Sequence, residues 1–277
     1  MPHTGNWGQS IEQGLSARLA KSGGKVLQQD GLPSIAAPTS PDNFAAACKA
    51  AATADVTIVT LGLAFDSYCH GGGDNNVVCE SEGHDRQVIE LATGQADMVA
   101  ALRKAVGPSK KLVAVLIHGG TIAFKNETLD ALDAVLDAWY PGLGGGEAVA
   151  ATLLGDYSPA GRSAQTWYSS TADLPPLGYM SLYPNPAAGS PNGVTYRYYQ
   201  GPPVRFSFGY GMSYTTFKYS GMKLDKVSYK LNMIRIKQRL RFRRLRPWKV
   251  VMRRHRSFCS PAQSFWHEEE PSPRNCS

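Results

Sequence analysis

The chain has 277 residues, of which 43% are apolar and 18% charged. This is ordinary globular usage, and it excludes collagen-like, fully disordered and disulfide-scaffold classes; no apolar run is long enough to cross a bilayer as a helix. The net charge of +7 is uneven: residues 1–222 carry 14 Lys and Arg against 18 Asp and Glu, and residues 223–277 carry 15 against 4, so a body of −4 precedes a tail of +11.

In chain order, Gln9 to Ser22 read as a helix, with Ile11, Leu15 and Leu19 at four-residue spacing. Lys25–Gln28 reads as a short strand and Gly31–Pro38 as a loop. Ser40-Pro41 gives an N-cap and a first helical residue, followed by a stripe of Phe44, Ala47, Cys48 and Ala51. Val56–Gly62 is rich in β-branched residues and predicts a buried parallel strand. Residues 63–85 form a long polar loop, a length that in compact domains goes with function. A helix is expected over 86–106, its inner face Val88, Leu91, Met98, Leu102 and Val106, ended by Gly107-Pro108. Lys111–His118 is the next strand, Leu129–Asp133 a short helix and Ala134–Tyr140 a strand. The turn Gly142–Gly146 opens a helix at 147–154, and Ser163–Tyr168 is a last short strand. Strands alternating with helices predict an α/β fold with a mainly parallel sheet flanked by helices. The expected organisation is an α/β sandwich over 1–168 and a Pro/Gly/Tyr-rich segment over 169–222 that completes it. Residues 223–277 form a basic tail, disordered or partly helical.

Three constellations could carry chemistry. Cys79-Glu80-Ser81-Glu82-Gly83-His84-Asp85-Arg86 closes the long loop. Two glutamates two residues apart can raise one another's pKa, as a general acid requires, and Arg86 can pair with Asp85 or Glu82; the alternative is a solvated acidic loop. Gly142-Leu143-Gly144-Gly145-Gly146 before a helix could cradle a phosphate. It comes late in the chain, however, and Glu147 would repel an anion, so a tight strand-to-helix turn is expected instead. His70, Asp74, Glu82, His84 and Asp85 lack any metal-ligand spacing, so no metal is expected. No G-x-S-x-G elbow occurs, and no cofactor is implied. Of the five cysteines, Cys69 and Cys79 flank His70–Asp74 and could be bridged or free. The N-terminus shows neither the charged nor the apolar region of a signal peptide.

Taken together, residues 1 to about 219 resemble the C-terminal α/β domain of glycoside hydrolase family 3. Pro2-His3 resembles the end of a G-P-H signature, and Ala54-Asp55-Val56 to Gly62-Leu63 an "AD-v-v-v-v-GL" strand. Glu80–Arg86 resembles "E-x-E-G-x-D-R", and Gln95 the end of "LP-x-x-Q", here degraded to Leu91-Ala92-Thr93-Gly94-Gln95. Tyr140-Pro141-Gly142 with Gly145-Gly146 resembles "YPG-x-x-GG", and Gly155–Arg162 "G-D-x-x-P-x-G-R". Thr195–Tyr198 and Phe208–Thr215 resemble "TYRY" and "FG-x-GLSYT". The pattern is most similar to the β-xylosidase and arabinofuranosidase branch, then to β-glucosidases.

The resemblance implies retaining hydrolysis of β-glycosides by an aspartate nucleophile and a glutamate acid/base. In the family the nucleophile lies on an N-terminal barrel, and the acid/base comes from a loop of this second domain. By motif position Glu80 is the expected acid/base and Glu82 the fallback. His70, Asp74, Asp85 and Arg86 are candidates for loop support or sugar contact. Residues 1–55 cannot hold a barrel, so the expected partners are a β-linked oligosaccharide or glycoside and a barrel domain in cis or in trans, and the chain alone is expected to be inactive. The competing reading is a non-catalytic carbohydrate-binding or interaction domain using the aromatic segment 179–214. Arg235–Arg246 could bind nucleic acid or a membrane surface. The preferred reading is a tail with no selected function, because the change falls where the family's next domain should begin.

Overall fold

The computed structural model describes residues 8–32, 41–63, 86–176, 178–218 and 220–221. The chain divides into two units, Met1–Met212 and Ser213–Ser277, and the fold described here is that of the first. Its helices are α1 (Ile11–Leu19), α2 (Ala45–Thr53), α3 (Thr93–Val106), α4 (Asn126–Asp130), α5 (Gly145–Leu153) and the single turn α6 (Thr195–Tyr198). The strands are β1 (Val56–Gly62), β2 (Lys111–Ile117) and β3 (Ala134–Asp137), in the order β1-β2-β3 and parallel throughout. This is the expected parallel sheet with flanking helices.

Amphipathic pattern and packing agree along this sheet. In α3, Met98, Val99, Leu102 and Val106 are buried at i, i+1, i+4 and i+8, and the helix lies on β1 and β2 with α2 against it. Leu112, Ala114 and Leu116 of β2 meet Leu61 of β1, Phe44 and Ala51 of the α2 segment, and Ile122, Phe124 and Trp167 in one core. β2, paired on both sides, reads as a nearly continuous apolar run, as a central parallel strand must. α1 starts on a Ser10 capping box, with Ser10 Oγ accepting from Gln13 N and Gln13 Oε1 from Ser10 N. It packs on α5 through facing glycines: a Cβ on Gly14 would lie 2.3 Å from Gly146 O. Arg18 bridges Glu147 and Asp156 across that contact.

Five element predictions are corrected. Lys25–Gln28 forms no strand: among the described residues nothing pairs with it, and Leu27 is exposed. The long helix begins at Thr93, not 86, because residues 86–92 are non-helical and Glu90 forms a parallel bridge with Ala123. Ser163–Tyr168 contributes only one antiparallel bridge, Trp167 with Phe206. The β3 strand ends at Asp137, where the chain turns through a positive φ at Trp139. The expected short helix at 129–133 sits three residues earlier, at Asn126–Asp130.

Candidate functional site at the carboxyl edge of the sheet

A parallel sheet gathers the carboxyl ends of its strands on one edge, where ligands of open α/β sheets bind. β1 ends there at Gly62, with φ 151°. A Cβ at Gly62 would lie 1.8 Å from Ile117 O, so only glycine fits. Gln95, in the first turn of α3 and 2% exposed, clamps this residue twice. Its Nε2 donates to Gly62 O at 2.9 Å, and its Oε1 accepts from Gly62 N at 2.9 Å. Leu63 N then donates to Ile117 O at 3.0 Å. The chain therefore leaves β1 on a fixed stem.

It returns at Arg86, whose Nη2 donates to Thr121 O at 2.7 Å. Ala123 N donates to Ile89 O at 2.7 Å and Leu91 N to Ala123 O at 3.0 Å. Ile89 N donates to Thr171 Oγ1 at 2.8 Å. The Glu90 carboxylate accepts from Ser170 Oγ (3.0 Å), Thr171 N (2.8 Å) and the Thr171 hydroxyl. Burial by itself would raise this carboxyl's pKa. The Thr171 and Ser170 hydrogen bonds outweigh it and hold Glu90 below its ordinary value. The residues flanking 64–85 are thus tied to β2, to the 121–123 segment and to Ser170-Thr171.

Of the residues singled out in the sequence, His70, Asp74, Glu80, Glu82 and Asp85 lie outside the described residues, as do Cys69 and Cys79. Arg86 is described, at the return point. Among the described residues no cluster of His, Cys, Asp and Glu could hold a metal ion, and no helix is long and apolar enough to cross a membrane. Cys48 is a free, partly buried thiol whose pKa is raised by burial.

Sequence reasoning missed a second group on the same edge. His118 follows β2 and is fully buried. Its Nδ1 lies 2.6 Å from Gly120 O and its Nε2 2.9 Å from Asp137 Oδ1, at the end of β3. Both partners are acceptors, so in either tautomer one ring N–H is donated to a protein oxygen. The ring sits between Trp139 and Trp167, at centroid distances of 5.6 and 5.3 Å. Trp139 has φ 52°, a genuine outlier for so bulky a residue. Its N–H donates to Asp137 Oδ1 at 3.3 Å and its carbonyl accepts from His118 N at 3.3 Å. The available signal was positional: a His and an Asp each terminate an apolar strand of a parallel sheet.

The glycine turn before α5 is structural, as expected. Gly146 N donates to Gln9 O and Gly145 N to Gly142 O, while Glu147 in the first turn pairs with Arg18. The Tyr-rich segment is held by Trp167, whose N–H donates to Phe206 O at 2.9 Å and whose Nε1 donates to Ser163 Oγ at 2.9 Å. Beyond this anchor Tyr196 stacks on Phe208 at 4.4 Å, and both rings are substantially exposed.

Comparison with known proteins places this geometry. Residues 2–214 match the model of the glycosyl hydrolase family 3 C-terminal domain. The chain is 35% identical over 203 residues to beta-xylosidase/alpha-L-arabinofuranosidase 2 of Medicago sativa subsp. varia, covering 68% of this chain and 24% of the relative. It is 36% identical over 202 residues to beta-D-xylosidase 1 of Arabidopsis thaliana, covering 71% and 23%. Among solved structures, the family 3 exo-beta-xylosidase XlnD, in complex with a xylobiose aziridine probe, superposes with a TM-score of 0.60 at 30% identity, over 78% of this chain and 25% of that one. A β-glucosidase from Erythrobacter marinus gives 0.56 at 28% identity, over 77% and 29%. The chain spans about a quarter of the length of these relatives. Ordered motifs, a parallel sheet with three strands among the described residues, and the match over 2–214 coincide on one conclusion: the chain belongs to the family of glycosyl hydrolase family 3 C-terminal domains.

Proposed function

We propose that this chain is the acid/base-bearing second domain of a retaining β-glycosidase of β-xylosidase type, with Glu80 as acid/base and Glu82 as the alternative. The supporting observation is the family match over residues 2–214 together with identity of 35–36% to plant β-xylosidases. In this reading a barrel domain supplies the nucleophilic aspartate. That carboxylate attacks the anomeric carbon while the Glu80 carboxylic acid gives its proton to the departing glycosidic oxygen. Glu80, now a carboxylate, takes a proton from the water that displaces the aspartate. The fixed exit at Gly62 and return at Arg86 suit a segment that must present a carboxyl group to a second domain.

The test is a fusion of the chain to the barrel of a family 3 β-xylosidase, assayed on xylobiose and on nitrophenyl β-xyloside. The isolated chain is expected to turn over neither substrate, and the fusion both. Glu80→Gln in the fusion should cost about 10²–10⁴-fold on xylobiose, the usual worth of acid–base catalysis. The loss should be smaller on the nitrophenyl substrate, whose leaving group needs little protonation. Full activity of Glu80→Gln would remove the assignment, and a loss confined to Glu82→Gln would transfer it. Turnover by the isolated chain would overturn the two-domain reading.

A further inference from the structure

We infer that Trp139 and Asp137, which lie outside the 64–85 segment of the chain, form a sugar-contacting subsite on the carboxyl edge of the sheet. The inference rests on the glycosidase reading for its ligand class, a β-linked xylo-oligosaccharide.

Two linked observations lead to it. The first is backbone conformation. Trp139 holds φ 52° although its side chain is among the largest available. Such a conformation persists only where the surroundings over-determine it, and such outliers gather at ligand sites. Here the surroundings are Asp137 Oδ1 on the Trp139 N–H and His118 N on its carbonyl. The consequence is a tryptophan residue 39% exposed at the strand-end edge. The second observation is a polar pair that joins the residue after β2 to the end of β3. A fully buried His118 is flanked by acceptors at both nitrogens and holds one oxygen of an Asp137 carboxylate whose side chain is 33% exposed. Burying a ring nitrogen against a carboxylate is costly unless geometry is kept, and what it fixes here is the carboxylate beside the indole.

The chemistry of the pair suits a sugar. A flat aromatic face takes the apolar C–H side of a pyranose, and a fixed carboxylate oxygen accepts hydrogen bonds from its hydroxyls. This combination of a mostly apolar surface and a few placed polar groups is the general pattern of small-molecule sites. The parallel register puts this pair on the same sheet edge as the exit of the chain from β1. Gly62 pairs with Ile117, and Leu116 with Asp137. Gly62 and the Asp137–Trp139 turn therefore lie two strand spacings apart on one edge, about 10 Å.

The experiment titrates xylobiose and xylotriose against the full 277-residue chain by ligand-observed NMR, with calorimetry where affinity allows. Three variants are compared: Trp139→Gly, Trp139→Asn and Asp137→Asn. Gly and Asn both accept the left-handed backbone, so neither imposes a new conflict, and circular dichroism verifies folding. Tyr157→Ser, an exposed aromatic beyond the far end of α5, serves as the control. Wild type and the control should bind saturably with equal affinity, xylotriose at least as well as xylobiose. Both Trp139 variants should bind about tenfold more weakly or not at all, and Asp137→Asn several-fold more weakly. Unchanged affinity in both Trp139 variants, or no saturable binding by wild type, overturns the inference. Neither result touches the Glu80 dependence of the fused enzyme, so failure here and failure of the glycosidase reading are read from different measurements.

Discussion

Gln95→Leu tests whether the exit of the chain from β1 is held by the side chain that the structure assigns to it. Leucine nearly conserves volume at a position only 2% exposed, so cavity formation contributes little. What is lost is the pair of 2.9 Å hydrogen bonds to Gly62 N and O. Each is worth about 1 kcal/mol net, and each buried backbone group left unpaired costs about 1–3 kcal/mol. Burying a leucine in place of an amide offsets about 1 kcal/mol. Because both backbone groups stay buried, the unpaired-group cost replaces the net bond value, and with the leucine offset the expected net destabilisation is about 1–5 kcal/mol, or a fall in Tm of about 2–20 °C for a domain of this size. The assay is urea unfolding followed by far-ultraviolet circular dichroism, with the m-value checked for constancy. Gln95→Glu sharpens the test. At pH 7 it keeps the acceptor for Gly62 N but sets a buried carboxylate against Gly62 O, so it should be worse than leucine. As the pH falls the carboxyl group protonates, regains a donor and should recover part of the loss. A Gln95→Leu protein within 1 kcal/mol of wild type would refute the argument, as would a Gln95→Glu protein whose stability relative to wild type ignores pH.

Two further outcomes are expected. Glu90 and Asp133 both have pKa values below their ordinary ones. For each, burial acts upward but is outweighed by hydrogen bonds: from Thr171 and Ser170 to Glu90, and from Lys111, Leu112 N and Arg103 to Asp133. A carboxyl depressed in the folded state contributes stability that is complete above its unfolded value, about 4, and is lost as pH falls through the folded value. Acid unfolding should therefore steepen below about pH 4, and Glu90→Gln together with Asp133→Asn should flatten that limb in a Tm-versus-pH series. Gly62→Ala should be severe, because its Cβ would stand 1.8 Å from Ile117 O and neither backbone can yield without unpairing β1 from β2; soluble yield and Tm relative to Gln95→Leu measure this, and a protein of wild-type Tm would contradict the packing.

Periodicity and composition by themselves determined the parallel α/β class, β1 over Val56–Gly62, β2 to within a residue and the glycine turn as a structural device. These are local signals, since a β-branched run bounded by Asp55 and Gly62, or a glycine cluster before an apolar helix, constrains its own backbone wherever it sits. Motif order determined the family and pointed to Glu80. Tertiary structure alone decided the rest. Residues 86–92 satisfy a helical spacing yet form no helix, because Glu90 finds Ser170, Thr171 and Ala123 some 30 to 80 positions away. Lys25–Gln28 has strand composition, but a strand exists only when another offers its hydrogen bonds, and none among the described residues does. His118 and the Asp137–Trp139 turn are ordinary residues at two separate points of the chain. The register of β2 with β3 makes them one group, and no single-sequence signal carries a pairing between strands that distant.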